Sequence, residues 1–93
     1  MRYQDVPEYE RALEFPTRFP VKAIGRQALD IRKILLDVLD THQAPYRDYD
    51  VHERLSSGGK YISVTVYIMA QSRRQLDGIY EDLRDRPEID TTL

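Results

Sequence analysis

Ser56-Ser57-Gly58-Gly59-Lys60-Tyr61-Ile62-Ser63-Val64-Thr65-Val66-Tyr67-Ile68-Met69-Ala70 is the stretch that decides the fold of this chain. From Tyr61 to Ala70 every second residue is apolar, and a period of two is the side-chain period of a β-strand. This part is rich in β-branched and aromatic residues and lacks Gly and Pro, as is typical of a central strand. One face is wholly apolar, formed by Ile62, Val64, Val66, Ile68 and Ala70. The rest of the chain must therefore cover that face.

The remaining sequence predicts three further strands and two helices. Alternating residues predict strands near 19–25, 49–56, 61–70 and 89–93, and apolar residues three and four positions apart predict helices near 28–41 and 72–84. Ser72 and Gln75 have the spacing of a capping box at the start of the second helix. The Gly58-Gly59 pair predicts a hairpin between the second and third strands. Pro20 is expected near the start of the first strand.

This element order predicts an α+β fold, the ferredoxin-like βαββαβ sandwich. We expect an antiparallel four-stranded sheet of order 4-1-3-2 with both helices on one face. Residues 13–93 are expected to form a single domain, and residues 1–12 a partly ordered N-terminal extension. The expected core consists of Val21, Ala23, Ile31, Leu35, Val38, Ile62, Val64, Val66, Leu76, Ile79 and Leu83.

Composition excludes several classes of function. The 93 residues carry a formal net charge of −2 and no cysteine, so disulfides, thiolate catalysis and cysteine-based metal sites are excluded. The acids and bases are mixed along the chain, which argues against a nucleic-acid binder that relies on bulk charge. His42 and His52 lie on separate elements, where we expect surface positions. We predict a cytoplasmic protein that is not an enzyme, with no metal, no cofactor and no membrane segment.

From about Leu13 to Leu93 the chain resembles the YbeD-like small bacterial proteins. The resemblance rests on Leu13-Glu14-Phe15-Pro16-Thr17-Arg18-Phe19, on Lys22 and Gly25, on the run from Ser56 to Val66, and on Ser72, Gln75-Leu76, Tyr80, Leu83, Pro87 and Leu93. It implies a fold similar to ACT-type regulatory domains and no established activity. It also implies a link to lipoate metabolism, which has been suggested for these proteins.

Two short segments are candidates for binding a small anion. Gly58, Gly59 and Lys60 follow Ser57, but a Walker loop opens a helix, whereas these glycines open a strand, so a hairpin turn with an exposed lysine is the simpler interpretation. Gly25, Arg26 and Gln27 lead from the first strand into the first helix. ACT-like domains bind effectors near this corner, and a helix N-terminus favours an anion. Simple chain reversal remains the alternative at this corner.

The second face of the sheet is the candidate interaction surface, formed by Lys22, Tyr61, Ser63, Thr65, Tyr67 and Met69. Because both helices are needed on the apolar face, no helix or strand remains to cover this one. We expect a protein partner or a second copy there, unless the N-terminal segment folds back with Leu13 or Phe15. An RNA-binding module needs an aromatic residue where Ser63 stands. Three functions therefore stay open: a regulatory or adaptor domain, an ACT-like sensor of a small anionic metabolite, and an RNA-binding module.

Overall fold

The fold is a four-stranded antiparallel sheet with two helices packed on one face. A computed structural model describes residues 13–92. The strands are β1 (Thr17–Arg26), β2 (Val51–Leu55), β3 (Tyr61–Ala70) and β4 (Ile89–Thr92), and the helices are α1 (Ile31–Thr41) and α2 (Arg73–Arg84). The sheet order β2-β3-β1-β4 is the predicted order read from the opposite edge. The predicted ferredoxin-like fold is therefore confirmed.

Two predictions concern residues that lie outside the described range. These are the predicted extension of residues 1–12 and Leu93, the last residue of the predicted fourth strand. Within residues 13–92, no helix combines the length and the apolar character that crossing a membrane requires.

The core lies between the sheet and the two helices. Val64 pairs with Ala23, and Val66 pairs with both Val21 and Val51, so apolar residues of three strands line one face. The fully buried residues on this side are Val21, Ala23, Ile31, Leu35, Val38, Leu39, Val64, Val66, Ile68, Ala70, Ile79 and Leu83, with Ala44 and Leu76 nearly so. All predicted core residues are buried except Ile62, which is half-buried.

The prediction for Ile62 was wrong because α1 begins later than expected. The helix starts at Ile31 rather than Ala28, since the Asp30 carboxylate accepts a hydrogen bond from the Lys33 backbone N–H at 3.2 Å and caps it. Ala28 and Leu29 form a turn before the helix, and Leu29 is 40% exposed. Ile62 therefore packs at the margin of the core, beside this turn and the first residues of α1.

Strand boundaries also differ from the prediction. β1 begins two residues earlier, at Thr17, so Pro20 lies inside the strand, where it pairs with Tyr67. β4 pairs only with residues near the end of β1, from Ala23 to Gly25. The first half of β1 thus has no neighbouring strand on its other side among the described residues, and a residue without an N–H is tolerated at such an edge.

The second strand is shorter than the predicted 49–56. Residues Asp48–Asp50 form a 3₁₀ turn, and β2 runs only from Val51 to Leu55. The turn is closed twice, because the Arg47 N–H donates to the Asp50 carboxylate at 2.9 Å and the Asp50 N–H donates to the Arg47 carbonyl at 2.9 Å. These local hydrogen bonds take the place of strand pairing.

The predicted cap of α2 is present. The Ser72 hydroxyl accepts a hydrogen bond from the Gln75 backbone N–H at 3.0 Å. In a capping box the Gln75 side chain would accept a hydrogen bond from the Ser72 N–H. Here it accepts instead from the N–H of the preceding residue, Gln71, at 2.8 Å. Gly78, on the same helix, faces the imidazole of His42, since a Cβ there would lie 3.1 Å from that ring.

Candidate functional site

The open face of the sheet, the face turned away from the helices, is built by the strand register. Lys22 pairs with Thr65 across β1 and β3, and His52 pairs with Thr65 from β2, so these three side chains share one row. The same pairing puts Arg18 beside Met69, and Arg26 beside Tyr61. The register thus collects all six predicted surface residues on this face: Lys22, Tyr61, Ser63, Thr65, Tyr67 and Met69.

Basic side chains flank the central strand on this face. Arg18, Lys22 and Arg26 come from β1, and Arg54 comes from β2, opposite Ser63. In the described part of these three strands, the paired positions on the open face carry no carboxylate. The open side of β1, β2 and β3 is therefore cationic, although Asp50 pairs with Arg18 at its edge and the chain as a whole has a net charge of −2. Of these four basic residues, the sequence pattern predicted only Lys22 on this face, whereas Arg26 was predicted at the anion-binding corner.

Two tyrosine rings lie beneath guanidinium groups on the open face. The Arg18 guanidinium lies 4.3 Å from the centre of the Tyr67 ring, and the Arg26 guanidinium lies 5.8 Å from the Tyr61 ring. His52 contacts Tyr67 edge-on, with ring centres 5.8 Å apart. Cation–π contacts of this kind hold flexible arginines against the sheet. The two guanidinium groups place positive charge at the surface. They also cover ring faces on which a nucleobase would stack.

A cleft of about 710 Å³ opens at one end of this face. It exists because β3 is ten residues long and β2 only five, so the end of β3 extends beyond its neighbour. The segment between α1 and β2 closes the far side, and the Met69 N–H donates to the Pro45 carbonyl there at 3.0 Å. The residues that line the cleft are Arg18, Pro45, Tyr46, Arg47, Tyr49, Asp50, Tyr67, Ile68 and Met69.

Hydrogen bonds fix the walls of the cleft. The Tyr46 hydroxyl donates to the Asp40 carboxylate at 3.0 Å, and burial together with this bond raises the pKa of Tyr46. Asp50 accepts from the Arg47 backbone N–H and, at 3.2 Å, from the Arg18 guanidinium, and these contacts lower the pKa of Asp50. These hydrogen bonds fix the positions of side chains in the walls of the cleft.

The cleft exposes apolar side chains next to cations. Tyr49 is 72% exposed and Met69 is 42% exposed, a large exposure for residues of this size. The alternating pattern predicted Tyr49 in a strand and gave no sign of the cleft, because the 3₁₀ turn follows from local hydrogen bonds that such a pattern does not show. The available signal was the pair of tyrosines, Tyr46 and Tyr49, in a segment that follows Pro45.

The two candidate anion-binding segments lie side by side at the other end of β1. The Gln27 N–H donates to the Lys60 carbonyl at 2.9 Å, which joins the residues before α1 to the hairpin. Gly25 is buried, and a Cβ there would overlap Ile31 and lie 2.6 Å from the Glu88 carbonyl oxygen, so its backbone is needed for packing. Gly59 has φ of 70° and donates its N–H to Ser56 at 2.8 Å.

Arg26, Gln27, Gly58 and Lys60 are exposed at this end of the sheet. The Asp30 carboxylate already accepts a hydrogen bond at the start of α1, and a negative charge there opposes a second anion. Anion binding by the two segments remains a prediction that rests mainly on Lys60.

The histidines have different environments. His52 is exposed on the open face, as expected. His42 was expected at the surface but is half-buried, and its Nε2 lies 3.3 Å from an Asp82 carboxylate oxygen, which links the end of α1 to α2. Within residues 13–92, no three His, Asp or Glu side chains come together in a way that could hold a metal ion.

Relatives of this chain occur in several bacteria. The family described as protein of unknown function (DUF493) matches residues 10–93. A UPF0250 protein of Chromobacterium violaceum is 36% identical over 86 residues, which cover 92% of this chain and 97% of that protein. A UPF0250 protein of Nitrosomonas europaea, NE1487, is 33% identical over 84 residues, which cover 90% of this chain and 97% of that protein.

A solved structure has the same fold. The solution structure of protein HP0495 from H. pylori matches with a TM-score of 0.73 and 16% sequence identity, covering 94% of this chain and 91% of that one. At this identity the likeness concerns the fold alone.

Proposed function

The chain belongs to the family described as protein of unknown function (DUF493), and from that premise we propose that it is a non-catalytic regulatory or adaptor domain. It binds an acidic surface of a partner protein through the open face of its sheet. The matches to UPF0250 proteins agree with the resemblance to YbeD-like proteins, a family without a known activity. The suggested link of YbeD-like proteins to lipoate metabolism places the partner in that pathway.

The cluster of basic side chains on the open face carries the proposal. Arg18, Lys22, Arg26 and Arg54 gather on this face, whereas α1 and α2 together carry five basic and five acidic residues. Such a cluster orients an acidic partner towards the open face during its approach. Arginine and tyrosine are also enriched in protein interfaces.

The size of the face fits a reversible complex. β1 and β3 have ten residues each, β2 has five and β4 has four, and each strand residue covers about 3.3 Å by 4.8 Å of the sheet. The resulting area of roughly 460 Å² is below the roughly 800 Å² that each partner buries in a standard stable complex. A transient regulatory contact is consistent with this area.

Two alternatives through the same face are less favoured. A second copy placed face to face would bring Arg18, Lys22, Arg26 and Arg54 against the same residues, and like charges repel. RNA recognition needs open ring faces for stacking, but arginines lie over both Tyr61 and Tyr67. Leu13 and Phe15, which the sequence offered as a cover for the open face, pack against the core cluster on the other side of the sheet.

A charge-reversal experiment tests the proposal. The full chain is immobilised, and proteins are recovered from cells that express it natively, with Lys22→Glu/Arg54→Glu compared with the wild type. Arg74→Glu/Arg84→Glu on α2 is the matched control, because it makes the same change in net charge on exposed positions of the helical side. We expect the open-face variant to lose the partner and the control to retain it. Equal recovery by both variants would contradict the proposal.

The position of Lys60 supports a second candidate, the sensor of a small anionic metabolite. The hydrogen bond between Gln27 and Lys60 brings both predicted segments together, with the Lys60 side chain exposed. A ligand that binds only the folded state raises the melting temperature. We expect inorganic phosphate or free glutamate to raise it for the wild type and not for Lys60→Gln. An equal response of both proteins would exclude this site.

A further inference from the structure

We propose that the cleft beside Arg18, Tyr67 and Met69 receives an apolar side chain from the partner's acidic segment, with a neighbouring carboxylate paired to Arg18. This inference rests on the proposed function and adds a specificity site to it. The occupant is a protein segment in which a residue such as leucine is flanked by Asp or Glu.

The position of the cleft supports this assignment. Arg18 and Tyr67 belong both to the cationic face and to the cleft lining, so a segment lying along the face continues into the cleft. The outer wall carries Tyr49, the most exposed of the large apolar residues described, and Met69 forms part of the floor. An exposed apolar surface of this kind beside a charged face is characteristic of a docking site.

The charges at the cleft favour an acidic segment. Arg18 is 60% exposed at its side chain although it contacts Asp50, which itself is only 13% exposed. Asp50 accepts from Arg18 and from the Arg47 backbone N–H, and the outer side of the Arg18 guanidinium still has donors to offer. The Arg47 side chain adds a second positive charge to the lining. A partner carboxylate can pair with Arg18 without displacing Asp50.

Model peptides test the assignment on the full-length protein by NMR. The probe is N-acetyl-Asp-Leu-Glu-amide, and the comparison peptides replace Leu with Ser, or Asp and Glu with Lys. We expect the Leu peptide to shift the side-chain signals of Tyr49, Tyr67 and Met69. It should bind about tenfold more tightly than the Ser peptide, because one leucine becomes partly buried. The lysine peptide should not bind.

Matched variants separate the cleft from the rest of the surface. Tyr49→Ser should abolish the preference for the Leu peptide, while Leu29→Ser, which also removes an exposed apolar side chain but lies before α1, should leave it unchanged. Equal affinity for the Leu and Ser peptides would overturn the assignment. So would signal shifts at the cleft in the full-length Tyr3→Ser/Tyr9→Ser variant without peptide, since the occupant would then be the chain's own N-terminal segment.

The experiments distinguish failure of the cleft assignment from failure of the proposed function. If the acidic peptides shift signals of Lys22 and Arg54 but not those of the cleft, the cleft assignment is wrong and the cationic face still binds. If Lys22→Glu/Arg54→Glu retains the native partner, the proposed function is wrong whatever the peptides do.

Discussion

Gly25→Ala should destabilise the protein strongly, although it adds one methyl group. The added Cβ would lie 2.6 Å from the carbonyl oxygen of Glu88 and still closer to the Cδ1 atom of Ile31. Ile31 is buried at the first position of α1, and Glu88 directly precedes β4, so both elements must move. Overpacking typically costs about 1–3 kcal/mol, and we expect about 3 kcal/mol here because one obstacle is backbone.

Thermal unfolding followed by circular dichroism measures this effect. For a domain of this size, 3 kcal/mol corresponds to a fall in melting temperature of roughly 12–24 °C. Gly58→Ala is the matched control, since no heavy atom lies within 4 Å of its Cβ position, and its melting temperature should stay within a few degrees of the wild type. If Gly25→Ala melted like Gly58→Ala, the close packing of β1, α1 and β4 around Gly25 would be refuted.

Three further changes are predicted. Val64→Asp should unfold the domain, because an unpaired charge at this fully buried site costs several kcal/mol, and a folded variant with an unchanged melting temperature would contradict the register. Ser72→Ala should cost about 1 kcal/mol in urea unfolding by removing the cap at Gln75, and no loss would mean that the cap is not formed in solution. Asp50→Asn should destabilise the protein at pH 7, and the difference from the wild type should shrink as the pH falls below about 3.9. The reason is that the lowered pKa of Asp50 contributes stability above its unfolded pKa of about 3.9, which is lost as the pH falls through the folded pKa; a pH-independent difference would contradict this.

The period of two in β3 and the spacing of three and four in the helices were sufficient to predict the fold. Both signals come from one-sided burial, which the sequence records directly. The boundaries were less predictable because side-chain hydrogen bonds decide them. Asp30 caps α1 three residues later than the apolar pattern indicates, and Asp50 turns the chain before β2.

The candidate surface was predicted only in part. The alternation in β1, extended by two residues before Phe19 and one after Gly25, would have placed Arg18 and Arg26 on the side of Lys22. Arg54 could not be assigned to a face, since its side depends on the register of the hairpin across Ser63. The cleft depends on the unequal lengths of β2 and β3, which a pattern of residues does not encode.

The most direct test of binding through the open face is an NMR titration of the full-length protein with the partner recovered by pull-down. Side-chain signals distinguish the two sides of the sheet, because the Met69 methyl and the Tyr61 and Tyr67 rings lie on the open face, while the methyl groups of Ile34 and Leu36 belong to α1. We predict that the partner shifts or broadens the first set and leaves the second unchanged. Shifts confined to Ile34 and Leu36 would contradict the account.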